Sequence, residues 1–123
     1  MKSIIYDEAI DIVKDVKNGK THKVFCIVIV EDGCKFCEDM MKNVMVEVEE
    51  TFKENVDFAK LDISNEKSDN MIFPVFETPT FLFYVHGGTP FPAYRKGIAS
   101  LENVKKDFAK IISVNEGLNG THT

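Results

Sequence analysis

A continuous apolar run from Val24 to Val30 sets the strongest limit on how this chain can fold. β-Branched and aromatic side chains favour extended backbone, and a strand without polar alternation needs apolar cover on both of its faces. The run is much shorter than the roughly 20 residues that cross a bilayer. The sequence therefore predicts the central strand of a parallel or mixed sheet that helices cover on both sides.

Two cysteines separated by two residues, Cys34 and Cys37, follow this strand. Apolar residues between Phe36 and Phe52 then recur at steps of three and four, which predicts a helix over residues 35–54. A strand thus delivers Cys34 to a helix N-terminus. The partial positive charge and free N–H groups of a first helical turn favour thiolate over thiol.

The remaining patterns alternate helices with strands. The pattern before the buried run predicts a helix at 4–17, or a short edge strand at 4–6 before that helix. After the long helix, the pattern predicts a strand at 56–63, a short helix at 65–72 and a strand at 80–85. A turn at 87–92, an antiparallel return strand at 93–96 and a last helix capped by Ser100 complete the chain. Alternating strands and helices imply parallel pairs, whereas the closing hairpin implies an antiparallel edge. The predicted class is α/β, with a mixed sheet between helices.

Composition and charge argue against several classes of function. The chain has 123 residues and a net charge of −5, with lysines scattered among acids, so neither nucleic acid nor an anionic membrane is an expected partner. An acidic N-terminal segment without a signal-peptide core predicts a cytoplasmic protein. We also expect a monomer. We expect one domain over residues 1–113 and a flexible tail over 114–123.

A single CxxC in a reducing compartment indicates redox chemistry or metal binding. Structural zinc needs four ligands, and this chain adds to the one pair only residues at unrelated positions, namely His22, Cys26, His86 and His122. Redox chemistry is therefore favoured, and we expect no metal. Cys26 lies in the middle of the apolar run, where a free cysteine behaves as a small core residue.

Four motifs together resemble thioredoxin-like proteins: Cys34-Lys35-Phe36-Cys37 after the buried strand, Ala59-Lys60-Leu61-Asp62 as the next strand, Thr78-Pro79-Thr80 opening the hairpin, and Lys96-Gly97 before the last helix. A CxxC alone is a modest signal. A CxxC followed about forty residues later by Thr-Pro-Thr and an apolar strand is a strong one. The resemblance implies a thioredoxin-like three-layer α/β/α sandwich with a mixed four- to five-stranded sheet.

The resemblance also implies a thiol–disulfide oxidoreductase that reduces protein disulfides. Cys34 is the expected nucleophile, with Lys35 favouring its thiolate and the anions Glu31 and Asp32 opposing it, and Cys37 is the expected resolving thiol. Such a protein needs no bound cofactor beyond its own disulfide. It needs an external electron donor, such as a thioredoxin reductase.

The same resemblance places the expected substrate-binding residues around the dithiol. Pro79 should be a cis-proline beside the sulfurs, and the backbone of Thr78 should be available to a bound peptide. Gly33, Lys35 and Phe36 complete this set, with Phe36 as an apolar platform for a flexible substrate segment.

The chain departs from the thioredoxin pattern in ways that leave one alternative function open. Gly33 occupies the position of the usual tryptophan, Lys35 and Phe36 replace a Gly-Pro pair, and Val28 replaces a buried acid. The alternative is therefore a thioredoxin-fold binding or adaptor module whose dithiol is vestigial or regulatory.

Without the buried acid, the proton of Cys37 needs another acceptor. Lys60 matches a family lysine near that site and is our first catalytic candidate, ahead of Glu31 and water. A solvated strand lysine is the alternative interpretation of Lys60.

Overall fold

The computed structural model describes residues 1–65, 78–86, 93–96 and 100–118. The elements in chain order are β1 (Lys2–Ile4), α1 (Tyr6–Lys17), β2 (Val24–Val30), α2 (Lys35–Met40), a π-helical turn (Met41–Met45), α3 (Val46–Phe52), β3 (Val56–Asp62), a 3-10 turn (Ile63–Asn65), β4 (Thr80–Tyr84), β5 (Ala93–Lys96) and α4 (Leu101–Leu118). The predicted turn at 87–92, and the predicted helix at 65–72 beyond residue 65, lie outside the described residues. Within the described ranges, no helix combines the length and apolar character that crossing a membrane requires.

The sheet is mixed and has five strands in the order β1-β3-β2-β4-β5. β2 lies parallel to β3 and antiparallel to β4, and the two edge strands are β1, parallel to β3, and β5, antiparallel to β4. All seven residues of β2 are buried. The predictions of a central buried strand and of an antiparallel closing hairpin are confirmed.

Helices cover both faces of the sheet because alternate residues of β2 point to opposite sides. Val24, Cys26, Val28 and Val30 pack in one core with apolar residues of α2, α3 and α4. The residues between them pack in a second core with α1. The molecule is therefore a three-layer α/β/α sandwich, and Cys26, which is 0% exposed, is a core residue as predicted.

The first helix begins at Tyr6 and not at residue 4, because the chain before it forms an edge strand. Ile4 pairs in register with Leu61 of β3. An edge strand therefore precedes the helix, but it spans Lys2–Ile4 and not residues 4–6. Glu8 accepts a hydrogen bond from the N–H of Ile5 at 3.1 Å, which satisfies a donor at the helix start.

The helix predicted over 35–54 is not continuous. A π-helical turn at Met41–Met45 interrupts it, and α3 ends at Phe52. Met40 and Met45 are both buried, although residues five apart on a regular α-helix lie about 140° apart around its axis. The wider turn brings both side chains to the core, which explains the interruption.

The last helix begins as predicted and ends later. Ser100 caps it by accepting a hydrogen bond from the N–H of Asn103 at 3.2 Å. The helix then continues past residue 113 to Leu118, so the tail predicted over 114–123 is helical up to residue 118, and residues 119–123 lie outside the described part.

The side chain of Asn115 links the end of α4 to two other segments of the chain. This side chain is 4% exposed; it accepts a hydrogen bond from the N–H of His86 and donates one to the carbonyl of His22, both at 2.7 Å. The rings of the two histidines stack, with their centroids 4.8 Å apart. The helix end is thereby tied to the segment before β2 and to the segment after β4.

Replacing Asn115 by alanine should lower the free energy of unfolding by about 2 kcal/mol, because one backbone donor and one backbone acceptor lose a buried partner. Urea unfolding followed by circular dichroism measures the change. Asn103→Ala is the matched control: this exposed asparagine of the same helix uses only its backbone in the cap, so its change should stay within about 0.5 kcal/mol. Equal losses for the two variants would contradict the role assigned to Asn115.

Candidate active site

Cys34 and Cys37 form a disulfide at the start of α2. Cys34 is the N-cap residue: its carbonyl accepts from the N–H of Glu38 at 3.2 Å, and its sulfur accepts from the N–H of Cys37 at 3.1 Å. Cys34 is half-buried, whereas Cys37 is only 4% exposed. An attacking group from solvent therefore reaches Cys34 more easily than Cys37.

The loop before the dithiol is anchored to the end of β3. The N–H of Asp32 donates to Ser64 Oγ at 2.7 Å, and the N–H of Ser64 donates to Asp62 Oδ1 at 2.9 Å. Gly33 has a φ of 77°, in the left-handed region that glycine adopts without the penalty of a Cβ. The chain turns here between β2 and α2, and the positive φ favours glycine at the position where the thioredoxin pattern has a tryptophan.

Thr78 and Pro79 lie beside the dithiol because β4 runs antiparallel to β2. Thr80 pairs with Ile29, so the residues just before β4 meet the residues just after β2. The Thr78–Pro79 peptide bond is cis, and Pro79 is buried. The carbonyl oxygen of Thr78 lies 3.6 Å from Cys34 Sγ, so this backbone segment borders the sulfur that is accessible to solvent.

A second contact joins the same two segments. The hydroxyl of Thr78 donates to Glu31 Oε1 at 2.7 Å. Sequence reasoning did not find this contact, nor the one between Asp32 and Ser64. The first pair is 47 residues apart and the second 32, and no local pattern signals partners at such separations.

A cavity of about 230 Å³ lies next to Cys37. Its charged lining comprises Glu31, Asp32, Glu38, Lys60 and Asp62. Lys60 is half-buried and pairs in register with Val28, the apolar residue at the family's buried-acid position. The structure therefore brings the lysine to the cavity that the buried cysteine borders, and provides no carboxylate on the central strand beneath it.

The remaining candidate residues form the outer surface next to Cys34. Gly33 and Lys35 are exposed, and Phe36 is a large apolar side chain with 54% of its surface exposed. Among the residues described, no group of three or more histidine, cysteine or acidic side chains is arranged to hold a metal ion.

Comparison with known proteins identifies the family. The sequence model of the thioredoxin family, described as "Thioredoxin", matches residues 11–111. Comparison with curated proteins finds no match.

Solved structures share this fold at low sequence identity. Thioredoxin O2 from Arabidopsis thaliana, in its oxidized state, superposes with a TM-score of 0.68 at 18% identity, over 89% of this chain and 93% of that one. The germline-specific thioredoxin Deadhead of Drosophila melanogaster superposes with a TM-score of 0.62 at 18% identity, and the match covers 85% of this chain and 90% of that one. The J-Trx1 fragment of ERdj5 superposes with a TM-score of 0.73 at 12% identity, and the match covers 91% of this chain and 51% of the fragment.

In the reduced protein, a thiol reagent should modify the cysteines in an order set by their exposure. At about pH 8, iodoacetamide should label Cys34 first and leave Cys26 unlabelled, because Cys26 is inaccessible and burial raises the pKa of its thiol, so little thiolate is present. Mass spectrometry of timed samples measures the order. Protein unfolded in urea is the control, and all three cysteines should then be labelled. Rapid labelling of Cys26 in the folded protein would contradict this assignment.

Proposed function

Since the chain belongs to the thioredoxin family, we propose that it is a thiol–disulfide oxidoreductase that reduces protein disulfides through Cys34 and Cys37. The observation that carries the proposal is the disulfide at the start of α2, with one sulfur accessible and the other buried behind it. A thioredoxin fold also suits protein disulfides as a general class of substrate. The exposed ring of Phe36 supports an apolar contact with a flexible substrate segment.

The first step is attack by the Cys34 thiolate on one sulfur of a substrate disulfide. A bond forms between Cys34 Sγ and that sulfur, the substrate S–S bond breaks, and the other substrate sulfur leaves as a thiolate that takes up a proton. The N–H of Cys37, which donates to Cys34 Sγ, would stabilise negative charge on that sulfur.

The second step is attack by Cys37 on Cys34 Sγ. The Cys34–Cys37 bond forms, the mixed disulfide breaks and the substrate leaves with a second thiol, so two electrons pass from the dithiol to the substrate. We propose that an external donor, such as a thioredoxin reductase, then returns two electrons to the disulfide. We further propose that the protein is a cytoplasmic monomer.

Cys37 must lose its proton before or during the second step. Lys60 lines the same cavity as Cys37, and Val28 beneath them carries no acid. A lysine ammonium near a thiol favours the thiolate, and water in the cavity can carry the proton to solvent. We therefore propose that Lys60 assists the resolving step electrostatically.

Replacing Cys34 by serine should abolish catalysed reduction of a protein disulfide such as insulin, because serine cannot form the mixed disulfide. Cys37→Ser should instead accumulate a covalent complex between Cys34 and the substrate, visible by non-reducing electrophoresis. Cys26→Ala is the control, and it should retain activity because Cys26 is a fully buried free cysteine that takes no part in the disulfide. Full activity of the Cys34→Ser variant would refute the assignment.

Lys60→Met should slow the resolution of the mixed disulfide about tenfold near pH 7, because the thiolate of Cys37 loses a favourable charge. The deficit should shrink as pH rises, since a growing fraction of Cys37 then ionises without assistance. Stopped-flow measurement of substrate release reports this step. Lys17→Met, at the exposed end of α1, is the matched control and should behave as the unaltered protein does. A deficit that is independent of pH would argue against the electrostatic role.

A further inference from the structure

We propose that Glu31 is a positioning residue for protein substrates: its carboxylate holds Thr78 so that the backbone of Thr78 stays against Cys34. The inference rests on the proposed disulfide reductase function and adds to it a residue outside the CxxC motif. It is carried by the hydrogen bond between Thr78 Oγ1 and Glu31 Oε1.

Glu31 is the fixed member of this pair. It directly follows Val30, the last residue of the fully buried strand β2. Its carbonyl accepts from the N–H of Cys34 at 3.4 Å, and the next residue, Asp32, is tied through its own N–H to Ser64. The backbone of Glu31 is thus held on both sides, and its carboxylate is presented from a defined point.

Thr78 is the member that is held. Its hydroxyl is bonded to Glu31, and its carbonyl lies 3.6 Å from Cys34 Sγ, so one residue contacts both ends of the short segment from Glu31 to Cys34. A threonine side chain has few rotamers, so fixing its hydroxyl restricts the backbone that carries it. The carboxylate therefore helps to set where the carbonyl of Thr78 points.

This orientation matters for a substrate that has a peptide backbone. An extended segment can hydrogen-bond to exposed backbone groups, and such pairing places the adjacent side chains in register. This pairing stabilises the bound substrate with its disulfide beside Cys34, so a misplaced Thr78 should weaken binding and raise the KM. A small disulfide without peptide groups makes no such pairing, so Glu31 should distinguish protein disulfides from small ones.

The contact is not suited to a mainly structural role. Glu31 is exposed, and water can replace a lost hydrogen bond at an exposed carboxylate, so its removal should change unfolding little. The consequence should instead appear in the KM for a protein substrate.

The test compares Glu31→Ala and Thr78→Val with two substrates, insulin and a small aromatic disulfide. For insulin we expect kcat/KM to fall about tenfold, mainly because the KM rises. For the small disulfide we expect the fall in kcat/KM to be about fivefold smaller than for insulin. Glu31→Gln and Thr78→Ser keep an acceptor and a hydroxyl, and they should recover insulin reduction to within about threefold of the unaltered protein. Glu54→Ala, at an exposed carboxylate beyond α3, is the matched control and should leave both rates unaltered.

The double variant Glu31→Ala with Thr78→Val should be no slower than the worse single variant, because both changes break one contact. Additive losses, equal losses for the two substrates, or an unimpaired Glu31→Ala would each overturn the proposal. If the unaltered protein reduced neither substrate, the proposed function itself would fail, and the role of Glu31 with it. If Glu31→Ala unfolded markedly more easily than Glu54→Ala, the contact would be structural and the proposal wrong.

Discussion

Both faces of β2 are buried, and the need to cover them determines where the surrounding helices lie. Each buried valine, isoleucine or phenylalanine side chain contributes about 1.5–3 kcal/mol when it leaves water, so a strand made of them must be covered on both sides. α1 covers one face, and α2, α3 and α4 cover the other. The residues of β2 are all buried, and the dithiol follows the C-terminal end of this strand.

Three segments converge at the C-terminal end of β2, each for its own structural reason. The strand leads through the turn at Gly33 into α2, which places Cys34 at a helix start. The antiparallel pairing of β4 brings Thr78 and Pro79 to the same point, and the parallel pairing of β3 brings Ser64. A redox site at this position is thus a result of sheet topology as much as of the two cysteines.

The interior beneath the dithiol is apolar in this protein. Val28 is 0% exposed, so the ionisable groups that line the space around Cys37 belong to the cavity and not to the central strand. That arrangement separates it from the thioredoxins that its motifs resemble, and it is why the proposed proton chemistry involves Lys60. The apolar strand favours stability, whereas the cavity places charged side chains next to the buried thiol.

Local patterns in the sequence were sufficient for most of the fold. The run of β2, the Ser100 cap and the CxxC at a helix start were all predictable, because strand burial, capping and helix periodicity depend on residues close together in the chain. The π-helical turn and the extension of α4 to Leu118 were not predictable. They depend on whether Met45 and Asn115 find partners in other elements, which local propensity does not encode.

The features of the candidate site also fall into those that local sequence patterns predict and those that they do not. The dithiol and the resemblance to the thioredoxin family could be predicted, because short motifs carry both. The turn at Gly33, the bond between Thr78 and Glu31, the anchoring of Asp32 by Ser64 and the cavity shared by Lys60 and Cys37 became visible only in the folded structure. The physical reason is that strand register and sheet order bring distant side chains together, and both are settled only when the whole core closes around β2.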